Sequence, residues 1–203
     1  MKTTIWGNIL PAVTIDLEQG ESIYTESGGM TWMSDKVKMD TNMKGGFMKG
    51  LGRMFAGESM FMATYRADAP GATIAFASTV PGQVLLIDAA ENGGMICQKG
   101  AFLCAQDSVN LDVTFTKKFT SGLFGGEGFI MQKLSGNGIA FIEIDGHATE
   151  YELSAGQELL VSTGYLAAME ESCTMDVVTV KGAKNMLLGG EGIFNTVVKA
   201  RER

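Results

Sequence analysis

Residues 138–162 read GIAFIEIDGHATEYELSAGQELLVS, and this stretch decides the fold class. Residues 139–144 and 158–161 are short runs rich in β-branched or aromatic side chains, bounded by Gly, Asn, Asp or Ser. Such runs are the signature of strands cut off by turns rather than of helices. Asp145-Gly146 is a candidate two-residue hairpin, as are Asn92-Gly93 and Asn137-Gly138 elsewhere in the chain. Residues 13–17, 73–76, 84–87 and 176–180 repeat the strand pattern. Turn-bounded strands roughly every 8–12 residues describe a sandwich, barrel or β-helix. Only residues 43–55, MKGGFMKGLGRMF, have brief helical character, and their glycines favour an irregular loop. The expectation is an all-β chain, closed as one domain over residues 1–203.

Working outward, the same phrase occurs three times: FAGESMF at 55–61, FGGEGFI at 124–130 and LGGEGIF at 188–194. Longer segments also answer one another. Residues 71–76 match 138–141, residues 81–86 match 155–160, and residues 100–105 match 164–168. Recurrence on this scale points to one supersecondary unit multiplied. The third unit is divided: LGGEGIFNTVVKA closes the chain, and AVTIDLEQGESIYTESGGMTWMSD near the start continues it. The expected architecture has three repeats, one split between the termini, which then meet to close a pseudo-threefold ring.

Composition narrows the function classes. The 203 residues carry a formal net charge of −7, with 16 basic residues and no basic stripe. Nucleic-acid binding relies on neutralising phosphates, so no nucleic-acid partner is expected. The basic run Lys199, Arg201, Arg203 reads as a frayed, solvated tail. Three cysteines, with no C-x-x-C or Cys/His cluster, support neither a disulfide framework nor a zinc site. Buried reduced thiols fit a reducing compartment. The start, MKTTIWGNILPAV, lacks the sustained apolar run of a signal peptide, and no stretch approaches a membrane-spanning length. The expected location is cytoplasmic.

The ordered series FGGEGFI, GIAFI, GQELLV and GYLAA, with its terminal echo LGGEGIF, resembles the altered-inheritance-of-mitochondria family and its bacterial relatives. The resemblance runs from about residue 10 to residue 198. It implies an antiparallel β-sandwich of the double-stranded β-helix type, with internal pseudo-threefold repeats and a fold like the tryptophan RNA-binding attenuation protein. It also implies frequent self-association. Mitochondrial members are linked to inner-membrane organisation, a role that does not carry over without a targeting segment. Bacterial members bring no established activity.

The repeated glutamates, Glu58, Glu127 and Glu191, are the first candidate ligand-binding residues. Brought together around a threefold axis, three carboxylates could hold a hard cation. Against this, their flanking glycines suit bulges or positive-φ turns in which each glutamate bonds backbone amides, and duplicated units retain their turn chemistry. His147 is the only histidine and follows the Asp145-Gly146 turn, so an exposed structural role outweighs catalysis. Cys104 and Cys173 stand in apolar strand-like text and read as inert thiols. The segment holding Phe47, Met48, Leu51 and Arg53 lacks the P-loop ending and reads as an amphipathic loop, a candidate contact for a membrane surface or a partner subunit, with covering one edge of the sandwich as its more ordinary role. No catalytic residue, metal site or cofactor is expected. The leading expectation is a non-enzymatic interaction or scaffold module, a homo-oligomer whose sheet edges pair with neighbours. The alternative is a small-molecule or cation-binding protein using the inter-sheet interior or the glutamates.

Overall fold

Turn-bounded strands, some alternating and some buried on both faces, build the sheets in the computed structural model, which describes residues 1–26, 28–40, 62–117, 129–179 and 194–201. In strand β2 (Ala12–Leu17), Val13, Ile15 and Leu17 are buried while Asp16 between them is exposed. This period of two is what a strand with one face on a core requires.

The chain divides into two compact units, each assembled from three separate stretches of sequence. The first comprises Met1–Asp88, Ala101–Asn110 and Asn137–His147. Its four-stranded sheet has the order β1 (Lys2–Trp6), β2, β7 (Ala72–Ala77), β4 (Met30–Met33). Its six-stranded sheet has the order β5 (Val37–Asp40), β6 (Met62–Ala67), β3 (Ser22–Glu26), β10 (Phe102–Gln106), β13 (Ile139–Asp145), β8 (Gly82–Asp88). One hydrophobic cluster draws Ile15, Ile74 and Phe76 from the smaller sheet and Ile23, Tyr65 and Phe141 from the larger. Tyr65 meets Phe76 edge-to-face at 6.4 Å across that core. Pairing two inner faces in this way makes a β-sandwich.

The second unit comprises Ala89–Gly100, Leu111–Gly136 and Ala148–Arg203. Its sheets have the orders β11 (Val109–Lys117), β12 (Phe129–Gly136), β9 (Met95–Gln98), β15 (Ala168–Glu170) and β14 (Glu158–Ser162), β17 (Phe194–Ala200), β16 (Cys173–Thr179). Ile96, Phe129, Met131 and Met169 of the first sheet share a core with Val177 and Val198 of the second. A buried hydroxyl pair, Thr196 Oγ1 to Thr163 Oγ1 at 3.1 Å, joins β17 to the 3-10 turn Thr163–Tyr165.

The all-β, antiparallel sandwich expectation holds, and each expected strand run lies within a strand of the structure over its described residues. The hairpin expectation fails. Asn92-Gly93, Asn137-Gly138 and Asp145-Gly146 each leave one sheet and enter another, because the strands on either side of each do not pair. Glycine at such a corner supplies a sharp change of direction, which serves a crossing as well as a hairpin. Gly82, at the start of β8, has a different role: an added Cβ there would collide with the Ile144 carbonyl of the neighbouring strand. The C-terminal basic run is not a frayed tail throughout, since Lys199 belongs to β17 and pairs with Glu158 at 3.5 Å.

Candidate interaction surface

The seven residues singled out as candidate sites, Glu58, Glu127, Glu191, Phe47, Met48, Leu51 and Arg53, lie outside the described residues. The strands around them are informative. The first phrase falls between β5 and β6, and the second and third follow β11 and β16 and end on the first residues of β12 and β17; each of these strand pairs is adjacent in its sheet. In every case the strand after the phrase is flanked on its other side by the strand three places earlier. The local orders are β5-β6-β3, β11-β12-β9 and β16-β17-β14.

His147 is exposed just beyond β13. Cys97 and Cys104 are buried, and desolvation pushes the Cys97 thiol up to about 12 and the Cys104 thiol well above its ordinary range. A thiol so placed stays protonated and is a poor nucleophile. Cys173 is only partly buried, at the start of β16.

A different surface stands out among the described residues. Ile5, Trp6, Ile9 and Leu10 are exposed large apolar side chains within six consecutive positions, Ile9 at 71%. They occupy the end of β1 and the turn that leads into β2, and β1 is an edge strand of the four-stranded sheet. Cross-strand partners project to the same side of a sheet. Trp6 is opposite Ala12 and Ala12 opposite Ala77, while Thr14 is opposite Ala75 and Ala75 opposite Trp32. These residues therefore lie on the face away from Ile15 and Phe76. Both tryptophans of the chain are on this outer face, one on each edge strand.

The Trp6 indole donates to Thr14 Oγ1 at 2.9 Å, so the ring leans from β1 over β2 toward the row that holds Trp32. An exposed ring would otherwise sample several rotamers, and the bond restricts it. The sequence carried one signal for this surface. Ile9 and Leu10 sit beside Gly7-Asn8 in a turn, where polar residues are the norm.

Two polar arrangements elsewhere are structural in kind. The Glu143 carboxylate accepts from Ser78 Oγ at 2.7 Å and from the Thr79 amide at 2.8 Å, holding the corner between β7 and β8. Lys133 pairs with Glu171 at 2.6 Å, and that hydrogen bond holds the Glu171 carboxyl below its usual range. No helix among the described residues is long and apolar enough to cross a membrane, a statement that leaves strand-built barrels aside.

Comparison with known proteins places these features in a family. An uncharacterised protein of Streptococcus pyogenes serotype M6 is 29% identical over 195 residues, covering 92% of this chain and 77% of the relative. The crystal structure of a Streptococcus pyogenes protein is similar with a TM-score of 0.75 at 26% identity, covering 98% of this chain and 89% of that one. The profile of the family described as mitochondrial biogenesis AIM24 matches residues 3–198. With nearly the whole sequence matched and the all-β fold in agreement, this chain belongs to the AIM24 family.

Proposed function

We propose that this chain is a non-enzymatic interaction module that works as a homo-oligomer. The observation that carries the reading is the exposed apolar hairpin end formed by Ile5, Trp6, Ile9 and Leu10, on a strand with one sheet neighbour among the described residues. Grouped apolar exposure of this kind marks contact surfaces, since each such side chain left in water forgoes about 1.5–3 kcal/mol of burial. Residence in a reducing, cytoplasmic compartment is part of the proposal, supported by the protonated thiols of Cys97 and Cys104. Light scattering coupled to size exclusion tests the reading: a mass of two or more chains is expected, and a strict monomer at all concentrations overturns it.

A second reading, cation or small-molecule binding by Glu58, Glu127 and Glu191, draws support from the shared strand order around the three phrases. Equivalent connections could present equivalent carboxylates. Calorimetric titration with calcium and magnesium, repeated on the triple Glu→Gln variant, decides it. Heat that is present in the parent and lost in the variant supports binding; no heat in either rejects it.

A further inference from the structure

We infer that the contact between copies is made by strand β1, which pairs antiparallel with the β1 of a second copy and extends the four-stranded sheet across a twofold axis. The inference rests on the proposal that the chain self-associates and adds the surface that does it. Among the described residues β1 has one neighbour, β2, and no described strand pairs with its other side. Its ladder with β2 runs unbroken over five residue pairs from Lys2 to Trp6, with neither bulge nor proline. An unbroken edge of this kind, with exposed apolar side chains grouped at its end, templates strand addition unless something blunts it.

Other edges are interrupted, charged or less apolar at their surface: among the described residues β8, β11, β14 and β16 each expose one large apolar side chain, Leu86, Val113, Leu160 and Val178, against the group at the end of β1. Strand β4, at the opposite edge of the same sheet, shifts register between Met30 and Trp32. Strand β5 has the sequence VKMD, two charged residues in four.

The β1 sequence KTTIW is also self-complementary. Centring the pair on Thr4 uses the whole strand and places Thr4 against its own copy, Thr3 against Ile5 and Lys2 against Trp6. No like charges meet. The one cation faces an indole, an attractive arrangement. Either hydrogen-bonding parity supplies about four to six main-chain bonds, since alternate residues of an antiparallel pair exchange two each. The pairing also sets Ile5 beside Thr3 and Trp6 beside Lys2 of the other copy, on opposite faces of the extended sheet. A second copy fits this edge better than an unrelated peptide, because the strand matches itself in length, charge and register without adjustment. Apposition of one edge strand with its own copy is an isologous contact, the commonest way to close a dimer.

Cysteine cross-linking of the full chain in a Cys173→Ser background tests the geometry, Cys97 and Cys104 being buried. Thr4→Cys places two Cβ atoms about 4.5–5.5 Å apart across the axis, within disulfide reach, and is expected to cross-link under mild oxidation. Lys2→Cys separates them by about 13 Å along the strands and is expected not to. Independently, Ile5→Glu is expected to raise the dimer dissociation constant by at least about tenfold, while Leu160→Glu on β14 leaves it unchanged. Circular dichroism confirms that each variant keeps its strand content. A wild-type monomer in light scattering removes the self-association reading itself. A wild-type dimer that Thr4→Cys does not cross-link, or that Leu160→Glu dissociates, overturns only the assignment to β1.

Discussion

The indole Nε1 of Trp6 donates to Oγ1 of Thr14 across 2.9 Å, linking the edge strand β1 to its neighbour on the face turned away from the core. Because the pair is exposed, water competes for both partners. Thr14→Val is expected to cost no more than about 1 kcal/mol of stability. Its larger effect is on the ring, which loses its anchor. In a Trp32→Phe background, Thr14→Val should lower the steady-state fluorescence anisotropy of Trp6 with little change in the melting curve.

Glu143 organises the Ser78–Thr79 corner through both carboxylate oxygens, Oε2 accepting from Ser78 Oγ and the Thr79 amide and Oε1 from Thr79 Oγ1. Removing it in Glu143→Ala leaves Ser78 Oγ with the Val80 carbonyl as its remaining acceptor and takes a charged acceptor from the Thr79 amide. The expected loss is about 1–3 kcal/mol by urea denaturation. Glu143→Gln keeps a carbonyl acceptor at the same reach and should recover part of that loss.

The Lys133–Glu171 pair predicts a particular pH dependence. The hydrogen bond from Lys133 lowers the Glu171 pKa in the folded chain, with Lys133 and Arg201 charges adding to it and desolvation opposing. A depressed carboxyl pKa contributes stability that is present above the unfolded value near 4.5 and lost as pH falls through the folded value. Lys133→Met should therefore melt below the parent at neutral pH, and the two melting temperatures should converge on acidification below pH 4.5. Parallel curves throughout would show that the pair has no linkage to stability.

Thiol chemistry gives the opposite sign. Burial raises Cys97 to about 12 from an ordinary value of 9.0, and raises Cys104 as well. Stability from these thiols is complete below the unfolded pKa and declines as pH rises through the folded value, so unfolding should become easier between 9.0 and about 12. In native protein at neutral pH, iodoacetamide should modify Cys173 first and reach Cys97 and Cys104 only with denaturant. Mass spectrometry of the labelled peptides reads the order.

Much of the fold was legible because its determinants are local. The runs at residues 139–144 and 158–161 announce strands by β-branched and apolar composition, and β13 and β14 lie there. The repeated phrases lead in sequence into β6, β12 and β17, each the sheet neighbour of the strand before its phrase. Asn137-Gly138 was misread because a glycine turn serves a hairpin and a crossing between sheets equally well. The Ile5–Leu10 surface escaped because apolar text is ordinarily assigned to the core. Its exposure appears only once Val13, Ile15 and Phe76 are seen to fill the inner face.

The sequence by itself therefore determined the secondary structure class and the family, since side-chain stereochemistry at each residue and the order of short motifs survive without knowledge of the fold. Tertiary structure alone decided which strands pair, how they sort into two sandwich units, and which apolar residues remain in water. Those outcomes depend on long-range burial. Residues as distant as Tyr65 and Phe141 share one core, and a strand's partner is the one that completes that core rather than the one nearest in sequence.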